Sequence, residues 1–311
     1  MQHGMIFGVL GVGVMGKNHV RVLNEIKRVD EVVVYDADEK RAKDVSEEFD
    51  VTATTSFEEF LKYCDAISIC TPTSQHYKHV TQCMRKGNSE KSIFVEKPIA
   101  SSYKEGLKIL RLIKGKEIIF GVGHIERFNP IINEICDLNV EIEYVDIKRH
   151  NPASSRVSDT TVVEDLMIHD IDIVFNVLLP DKDFKLSASG NKNIMHILVN
   201  FDDTVVSLSA SRISSKKIRK IHIENHNLTI EGDYMDQELY IFRGPQIYQT
   251  VNEKYVQENV MEKVLINKVE PLKVELKTFV DCVRKGEEFP VTAEQAVNNL
   301  RICELIWRKA R

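Results

Sequence analysis

Short apolar runs alternate with amphipathic stretches along the first 121 residues of the chain. The runs lie at residues 5–10, 31–35, 65–70, 92–95 and 118–120. Continuous apolar runs of this length are typical of parallel strands buried on both faces. Helical periodicity between them predicts helices at residues 17–28, 38–49, 75–86 and 103–113. The repetition of strand and helix predicts a doubly wound parallel sheet, so we expect a first domain at residues 1–121.

The pattern changes in the rest of the chain, which we expect to form a second domain at residues 122–311. Helices are predicted at residues 130–138, 164–179, 272–284 and 293–309, with a polar loop at 151–161. Strands are predicted at residues 140–149, 185–189, 195–201, 205–211, 218–224, 227–231 and 238–242. Turn residues such as Asp202 and Asp203 separate several of these strands. Consecutive strands joined by tight turns predict an antiparallel sheet in this half.

A glycine-rich motif, GVGVMG at residues 11–16, directly follows the first predicted strand. Gly11 permits a tight turn, Gly13 lets a pyrophosphate approach the backbone, and Gly16 allows close packing of helix on strand. Val14 and Met15 open the following helix, whose free N–H groups and positive dipole end attract phosphates. Because the motif stands between a strand and a helix, it predicts a Rossmann domain that binds a dinucleotide.

Asp36 ends the second predicted strand, twenty residues after Gly16. A carboxylate at this place accepts hydrogen bonds from the adenosine ribose and repels a 2′-phosphate, so the cofactor is predicted to be NAD rather than NADP. The alternative is a glycine turn that binds nothing, with Asp36 capping the next helix.

Glu96, Lys97 and Pro98 end the fifth predicted strand, at the sheet edge where ligands bind in this class of fold. A lysine there can donate to a substrate oxygen or relay its proton. Pro98 would fix the turn that aims Lys97, and a cis peptide bond would serve that purpose. A solvated lysine beside a turn proline fits the sequence as well.

Asp165 and His169 are four residues apart on a predicted helix and therefore share one face. The carboxylate can orient the imidazole and stabilise its charged form, which is the arrangement used in general base catalysis. The alternative is an acidic residue near a helix N-terminus followed by a core histidine. A metal site is not expected, because His169, Asp170 and Asp172 have no further ligand at a suitable spacing.

Composition excludes several classes of protein. The net charge of −5 leaves no bulk positive field for nucleic acid or an anionic membrane, and no nucleic-acid-binding motif is present. No run approaches the roughly 20 apolar residues that a membrane span needs. The six cysteines form no CxxC pair, which favours a reducing compartment and a cytoplasmic location.

The chain resembles the glucose–fructose oxidoreductase/inositol dehydrogenase (Gfo/Idh/MocA) family over nearly its whole length. The resemblance rests on the order and spacing of GVGVMG at 11–16, CTPTSQH at 70–76, VEKP at 95–98, GHIERFNP at 123–130 and EDLMIHDID at 164–172. It implies a Rossmann domain followed by an α/β domain with a large open, mostly antiparallel sheet, through which the chain would form a homodimer or homotetramer. It also implies oxidation or reduction of a carbon–oxygen centre on a sugar or cyclitol.

The family's site residues match individual positions of this chain. The resemblance implies that Lys97, Asp165 and His169 are catalytic. It adds Thr71, Pro72, His76, Glu96 and Lys97 to the predicted cofactor-binding residues. One departure is Met167, which stands where many members have glycine and which would narrow the pocket.

A narrower resemblance links the chain to UDP-N-acetylglucosamine 3-dehydrogenases and related nucleotide-sugar dehydrogenases. It implies that Arg127, Asn129 and Arg156 bind substrate. The cations available for a diphosphate are Arg156, Arg212, Lys216, Lys217 and Arg219, although solvated surface charges are the alternative for each. The substrate hydroxyl would be bound by Lys97 and His169. A dehydrogenase of a free sugar or cyclitol and a catalytically silent NAD-binding regulator remain the other possibilities.

Overall fold

The computed structural model describes residues 4–85, 91–152, 160–244, 248–251, 254–257 and 260–310. The chain divides into two compact units, Met1–Ile125 with Glu270–Arg301, and Glu126–Val269 with Ile302–Arg311. The sequence predicted two contiguous domains that meet after residue 121. The observed division differs, because a segment close to the C-terminus returns to the first unit.

The first unit contains a six-stranded, entirely parallel sheet in the order β3-β2-β1-β4-β5-β6. Its strands are β1 Ile6–Leu10, β2 Glu31–Tyr35, β3 Thr52–Ala53, β4 Ala66–Ile69, β5 Ser92–Glu96 and β6 Phe120–Gly123. This is the strand order of a Rossmann fold, and it confirms the predicted doubly wound sheet. The two-residue strand β3 was not predicted, and β6 lies slightly later than the run at residues 118–120.

Helices connect these strands. They are α1 Val14–Glu25, α2 Glu39–Phe49, α3 Phe57–Tyr63, α4 Thr73–Cys83 and α5 Tyr103–Ile113. Three of them begin with a polar cap: the side chains of Asp38, Ser56 and Ser102 accept hydrogen bonds from the backbone N–H three residues further on. Such caps satisfy N–H groups that the first helical turn leaves unpaired.

Aromatic packing explains why residues 270–301 belong to the first unit. Helix α8, Pro271–Lys285, places Phe279 against Phe7 of β1 and Phe94 of β5, with ring centroids 6.0 and 5.3 Å apart. Phe289 adds a third contact, 5.9 Å from Phe94. All four rings are at most 1% exposed. Burial of rings of this size is a large contribution to one shared core.

The second unit contains an eight-stranded sheet in the order β16-β13-β12-β11-β7-β10-β9-β8. Only β7 and β10 pair in parallel, so the sheet is mostly antiparallel as predicted. The strands are β7 Tyr144–His150, β8 Phe184–Asn191, β9 Ile194–Phe201, β10 Thr204–Ser211, β11 Ile218–Glu224, β12 Leu228–Asp233, β13 Glu238–Arg243 and β16 Val260–Val264. A separate hairpin consists of β14 Tyr248–Val251 and β15 Lys254–Gln257.

Helical segments cover one face of this sheet. Helix α6 is Pro130–Asp137, and a continuous helical stretch consists of a π-helical turn Val163–Met167, α7 Ile168–Ile173 and a second π-helical turn Val174–Leu178. The prediction at residues 164–179 gave the extent of this stretch but not its π-helical turns. Apolar side chains of α6 and of this stretch pack on Val145, Ile147 and Leu208 of the sheet.

The last helix, α9 Ala293–Lys309, is shared between the units: its residues up to Arg301 belong to the first unit and those from Ile302 to the second. None of the helices that the structure describes has the length and apolar character required to cross a membrane.

Candidate active site

The glycine motif forms a tight turn at the C-terminal end of β1. Gly11 has a φ of +86°, in the region that favours glycine, and its N–H donates to the carbonyl of Tyr35 at 2.8 Å. A Cβ at Gly11 would lie 2.7 Å from Cγ2 of Thr71. The turn is therefore fixed by neighbours on both sides, the end of β2 and the segment after β4.

Gly13 and Gly16 serve different purposes. A Cβ at Gly16 would lie 1.9 Å from the carbonyl oxygen of Gly11, so glycine is required for α1 to start this close to the turn. A Cβ at Gly13 would meet no heavy atom within 4 Å. The space above Gly13 is open, and it borders the N-terminus of α1, where Val14 and Met15 are 85% and 38% exposed. Open space beside free helical N–H groups fits a dinucleotide phosphate.

Asp36 follows β2 and is tied to the glycine turn. Its Oδ2 accepts from the N–H of Val12 at 2.8 Å, and its Oδ1 accepts from the N–H of Asp38 at 2.9 Å. The capping residue of α2 is Asp38, so the alternative that Asp36 caps this helix is wrong. Arg41 lies near Asp36, with Nη1 3.7 Å from Oδ2. The carboxylate thus stands beside the turn, where the sequence predicted the ribose contact.

His76 on α4 joins two loops at the C-terminal edge of this sheet. Its ring nitrogens lie 2.8 Å from the carbonyl oxygens of Pro98 and Thr71. Burial lowers the pKa of His76, and the hydrogen bonds to the two carbonyl groups act in the opposite direction. Thr71 Oγ1 also lies 3.0 Å from Nδ1 of His79, and Pro72 is the N-cap of α4. His76 therefore positions backbone and has no polar atom left for a ligand.

Lys97 directly follows β5, and the Lys97–Pro98 peptide bond is cis. Glu96, the last residue of β5, turns its side chain into the protein. One of its oxygens, Oε2, lies 3.3 Å from the backbone nitrogen of Lys97. The other, Oε1, lies 2.8 Å from Nε2 of His19, whose Nδ1 is 2.8 Å from Oγ of Ser68. This buried chain of polar contacts holds the backbone from which the half-buried Lys97 side chain extends.

The pKa values of His19 and Glu96 are shifted in the directions that favour an ion pair. Burial acts to lower the pKa of His19, but Cys70 and Glu96 outweigh it, and the pKa of His19 is raised well above its usual value. Burial acts to raise the pKa of Glu96, but the hydrogen bond and charge of His19 hold it below its usual value. A fully buried charge needs such a partner to be tolerated.

Asp165 and His169 lie on the less buried side of the helical stretch of the second unit, where both are half-buried. Asp165 Oδ2 accepts from Nη2 of Arg212 at 3.1 Å. Arg212 also donates to the carbonyl oxygens of Thr160 and Thr161, at 2.9 and 3.0 Å. Arg212 therefore fixes the carboxylate.

Met167 does not narrow a pocket as predicted, because its side chain is 1% exposed and packs in the core of the second unit.

The two predicted substrate residues Arg127 and Asn129 are engaged by the protein. Arg127 forms a two-point ion pair with Asp172, with Nε–Oδ2 at 2.6 Å and Nη2–Oδ1 at 2.8 Å. Asn129 is 2% exposed, caps α6, and donates to the carbonyl of Tyr234 at 3.0 Å. The burial of Asn129 does not support a direct substrate contact for this residue. Arg156 lies outside the described residues.

Two parts of this arrangement were missed by sequence reasoning. His19 stands three residues after Gly16 on the face of α1 that is buried, a signal that was present in the helical periodicity. Arg149 is buried between Asp170 and Glu126, with Nη2–Oδ1 at 2.7 Å and Nη1–Oε1 at 2.6 Å. An arginine at an inward position of a strand is such a signal as well. Among the described residues no cluster of three or more His, Cys, Asp or Glu side chains could hold a metal ion.

Known proteins resemble this chain in sequence. It is 27% identical to UDP-N-acetylglucosamine 3-dehydrogenase of Acidithiobacillus ferrooxidans over 76% of each chain. It is 25% identical to scyllo-inositol 2-dehydrogenase (NAD(+)) of Bacillus subtilis, over 97% of this chain and 93% of the relative.

Solved structures show the same fold. That of the A. ferrooxidans enzyme has a TM-score of 0.84 at 22% identity and covers 98% of this chain and 97% of its own. Levoglucosan dehydrogenase, in complex with NADH and levoglucosan, has a TM-score of 0.83 at 15% identity, over 99% and 97% of the two chains. Residues 5–124 match the family model described as the oxidoreductase family with an NAD-binding Rossmann fold. These residues therefore match the NAD-binding Rossmann domain of the Gfo/Idh/MocA oxidoreductase family.

Proposed function

We propose that this protein is an NAD-dependent dehydrogenase that acts on a secondary hydroxyl of a nucleotide sugar, at the 3-position of a UDP-N-acetylhexosamine. The proposal is carried by the residues that stand together at one edge of the parallel sheet of the first unit. The open glycine turn, Asp36 and the anchored Lys97 all stand at the C-terminal ends of strands of the same parallel sheet. Ligands of doubly wound sheets bind at this edge.

The cofactor is bound, in this proposal, by the glycine turn and Asp36. The N–H groups at the start of α1 would bind the phosphates in the open space at Gly13, and Gly11 and Gly16 keep the turn close to the helix. Asp36 accepts from the adenosine ribose and disfavours a 2′-phosphate, which supports NAD over NADP. When bound, NAD supplies the acceptor for the hydride that leaves the substrate carbon.

The residues that act on the substrate are Lys97, Asp165 and His169. His169 takes the proton of the substrate hydroxyl, and the charge of Asp165 stabilises the imidazolium that results. Lys97 donates to the same oxygen as negative charge develops on it. A positioned base contributes about 10²–10⁴-fold to the rate. Arg212 keeps Asp165 in place throughout, because it holds the carboxylate at 3.1 Å.

The nucleotide-sugar substrate is supported by the 27% identity to a UDP-N-acetylglucosamine 3-dehydrogenase. An alternative substrate is a free sugar or cyclitol. The relative that covers 97% of this chain, a scyllo-inositol 2-dehydrogenase, favours that alternative. A silent NAD-binding regulator has less support, since Lys97, Asp165 and His169 are all present.

We further propose a homo-oligomer that assembles through the face of the eight-stranded sheet opposite its helices. Leu198 and Val205 are 43% and 38% exposed on the strands of this sheet. Sedimentation of the purified protein gives its mass directly, and a monomer at all concentrations would remove this part of the proposal. All six cysteines are free, which supports a cytoplasmic location.

The substrate is tested by the absorbance of reduced nicotinamide. The purified protein is mixed with NAD or NADP and, separately, with UDP-N-acetylglucosamine, UDP-N-acetylgalactosamine, N-acetylglucosamine and myo-inositol. We expect reduction of NAD with a UDP-sugar only. Turnover with myo-inositol alone would favour the cyclitol alternative, and turnover with none of the four would refute the proposed substrate class.

A further inference from the structure

One corner of the second unit carries more positive than negative charge. Near the start of β11, four cationic side chains are grouped with three carboxylates. The cations are Arg149, Arg212, Lys217 and Arg219, and the carboxylates are Glu126, Asp165 and Asp170. This group of side chains therefore has an excess of one positive charge.

Two of the four cations are buried and paired within the protein. Arg149 is 1% exposed and is bound by Asp170 and Glu126. Arg212 has a side chain that is 5% exposed and is bound by Asp165 and two backbone carbonyls. Neither guanidinium faces solvent, so neither offers a charge to a ligand.

Arg219 is incompletely paired. It lies directly opposite Arg149 in the register of β11 and β7, so two like charges face each other. Among the described residues its one ion pair joins Nη1 to Oε1 of Glu126 at 3.2 Å, and this oxygen already accepts from Arg149 at 2.6 Å. Its Nε is buried without a hydrogen-bond partner among the described residues, while the side chain is 30% exposed. A buried donor without a partner costs free energy until an acceptor arrives.

Lys217 adds a second charge beside Arg219. It stands two residues before Arg219, immediately before the start of β11. Lys217 is exposed and forms no ion pair with any described residue. The positive charge of Arg219 is the main cause that lowers the pKa of Lys217. Burial, followed by the charge of Arg149, lowers the pKa of Arg219. Two cations that repel each other in this way would both gain from an anion.

The corner is also connected to the proposed catalytic pair. Asp165 is paired with Arg212, and its negative charge acts on Arg219. Asp170, the neighbour of His169 in sequence, binds Arg149, which stands opposite Arg219. An anion held by Lys217 and Arg219 would therefore lie in the same part of the second unit as the proposed catalytic pair.

We infer that Lys217 and Arg219 form the anion-binding part of the substrate site and hold the diphosphate of a nucleoside diphosphate sugar. This inference rests on the proposed nucleotide-sugar function and adds to it the residues that recognise the diphosphate. Arg212, which the sequence grouped with these cations, is assigned to Asp165 instead. Lys216 and Lys220 are not part of the proposed site. Lys216 is an exposed residue next to Lys217 in the sequence. Lys220 follows Arg219 in β11, so its side chain points to the opposite face of the sheet.

The test measures binding, not turnover. UDP and inorganic pyrophosphate are titrated calorimetrically into the wild type, Lys217→Ala, Lys217→Glu, Arg219→Gln and Arg219→Lys. The matched controls are Lys216→Ala and Lys220→Ala. Loss of one charge-assisted contact should weaken UDP binding about tenfold to a hundredfold. Lys217→Glu should weaken it most, Arg219→Lys least, and both controls should bind as the wild type does. NADH affinity and melting temperature, measured on every variant, show whether the fold is intact.

Three results would overturn the inference, and the first two differ in what they say about the substrate. If UDP binds the wild type and all variants equally, the diphosphate is held elsewhere and the nucleotide-sugar function survives. If neither UDP nor pyrophosphate binds the wild type, the inference fails together with the nucleotide-sugar substrate. Weakened binding in the control variants to the same extent would also refute it, because a diffuse surface charge would then be the cause.

Discussion

His19 and Glu96 form a buried ion pair, with Nε2 and Oε1 2.8 Å apart, directly beneath the backbone of Lys97. The pair joins α1, which begins at the glycine turn, to the end of β5. One helix therefore links the cofactor loop to the segment that carries the proposed catalytic lysine. This connection explains why two segments far apart in sequence keep a fixed relation at one sheet edge.

Replacing His19 by glutamine should destabilise the protein and change the pH dependence of its stability. Removal of one partner of a buried ion pair costs about 3–5 kcal/mol, because the other charge is left uncompensated. The raised pKa of His19 stabilises the fold fully below pH 6.5, and this contribution is lost as pH rises through that raised pKa. The lowered pKa of Glu96 contributes above pH 4.5 and is lost as pH falls through it. Free energies of unfolding from urea titrations across this range measure both effects.

The control for this experiment is the double variant His19→Gln with Glu96→Gln. It removes both charges, so it should recover part of the lost stability and have a flatter pH profile than the wild type. If His19→Gln alone already matched the wild type in stability and slope, the pair would not be ionised.

Alanine at Gly13 should weaken cofactor binding, whereas alanine at Gly16 should destabilise the fold. At Gly13 the added methyl group enters open space, so the melting temperature should stay near that of the wild type while NADH affinity falls at least tenfold. At Gly16 the methyl group would lie 1.9 Å from the carbonyl of Gly11, and we expect destabilisation. Overpacking of this kind costs about 1–3 kcal/mol. Melting curves and NADH fluorescence titrations separate the two outcomes. If neither substitution weakened NADH binding, the glycine turn would not bind the cofactor.

Asp36→Asn should reduce the preference for NADH over NADPH. The substitution keeps the size of the side chain and removes the negative charge that opposes a 2′-phosphate, while Arg41 remains 3.7 Å away. The ratio of the two dissociation constants should fall about tenfold, and Asp38→Asn, which preserves the cap of α2, should leave it unchanged. A wild type that binds NADPH more tightly would contradict the assignment of Asp36.

Much of the fold could be predicted because its signals are local. Apolar runs gave the strands of the parallel sheet, and the glycine motif between β1 and α1 gave the cofactor loop. The same reasoning predicted the antiparallel order of the second unit from turn residues. Strand β3 was not predicted because two residues are too few to form a hydrophobic pattern. The strands at 248–264 were not predicted because their sequences show no alternation of apolar and polar residues.

The domain boundary and the support of the site could not be read from local patterns. Phe279 and Phe289 belong to the first unit because they pack on rings such as Phe94, which lies 185 and 195 residues earlier in the chain. The partner of His19 is Glu96, and that of Asp165 is Arg212. Such pairs depend on tertiary packing, so the sequence predicted the residue types and not their partners.

Lys97→Ala and His169→Ala test the central claim, that these residues act in the oxidation of a hydroxyl by an enzyme that binds NAD on the glycine turn. The measurement is single-turnover reduction of NAD by the UDP-sugar, with NADH affinity titrated in parallel on the same preparations. The account predicts rates that fall about 10²–10⁴-fold in both variants with unchanged NADH affinity. Rates equal to that of the wild type in both variants would contradict it.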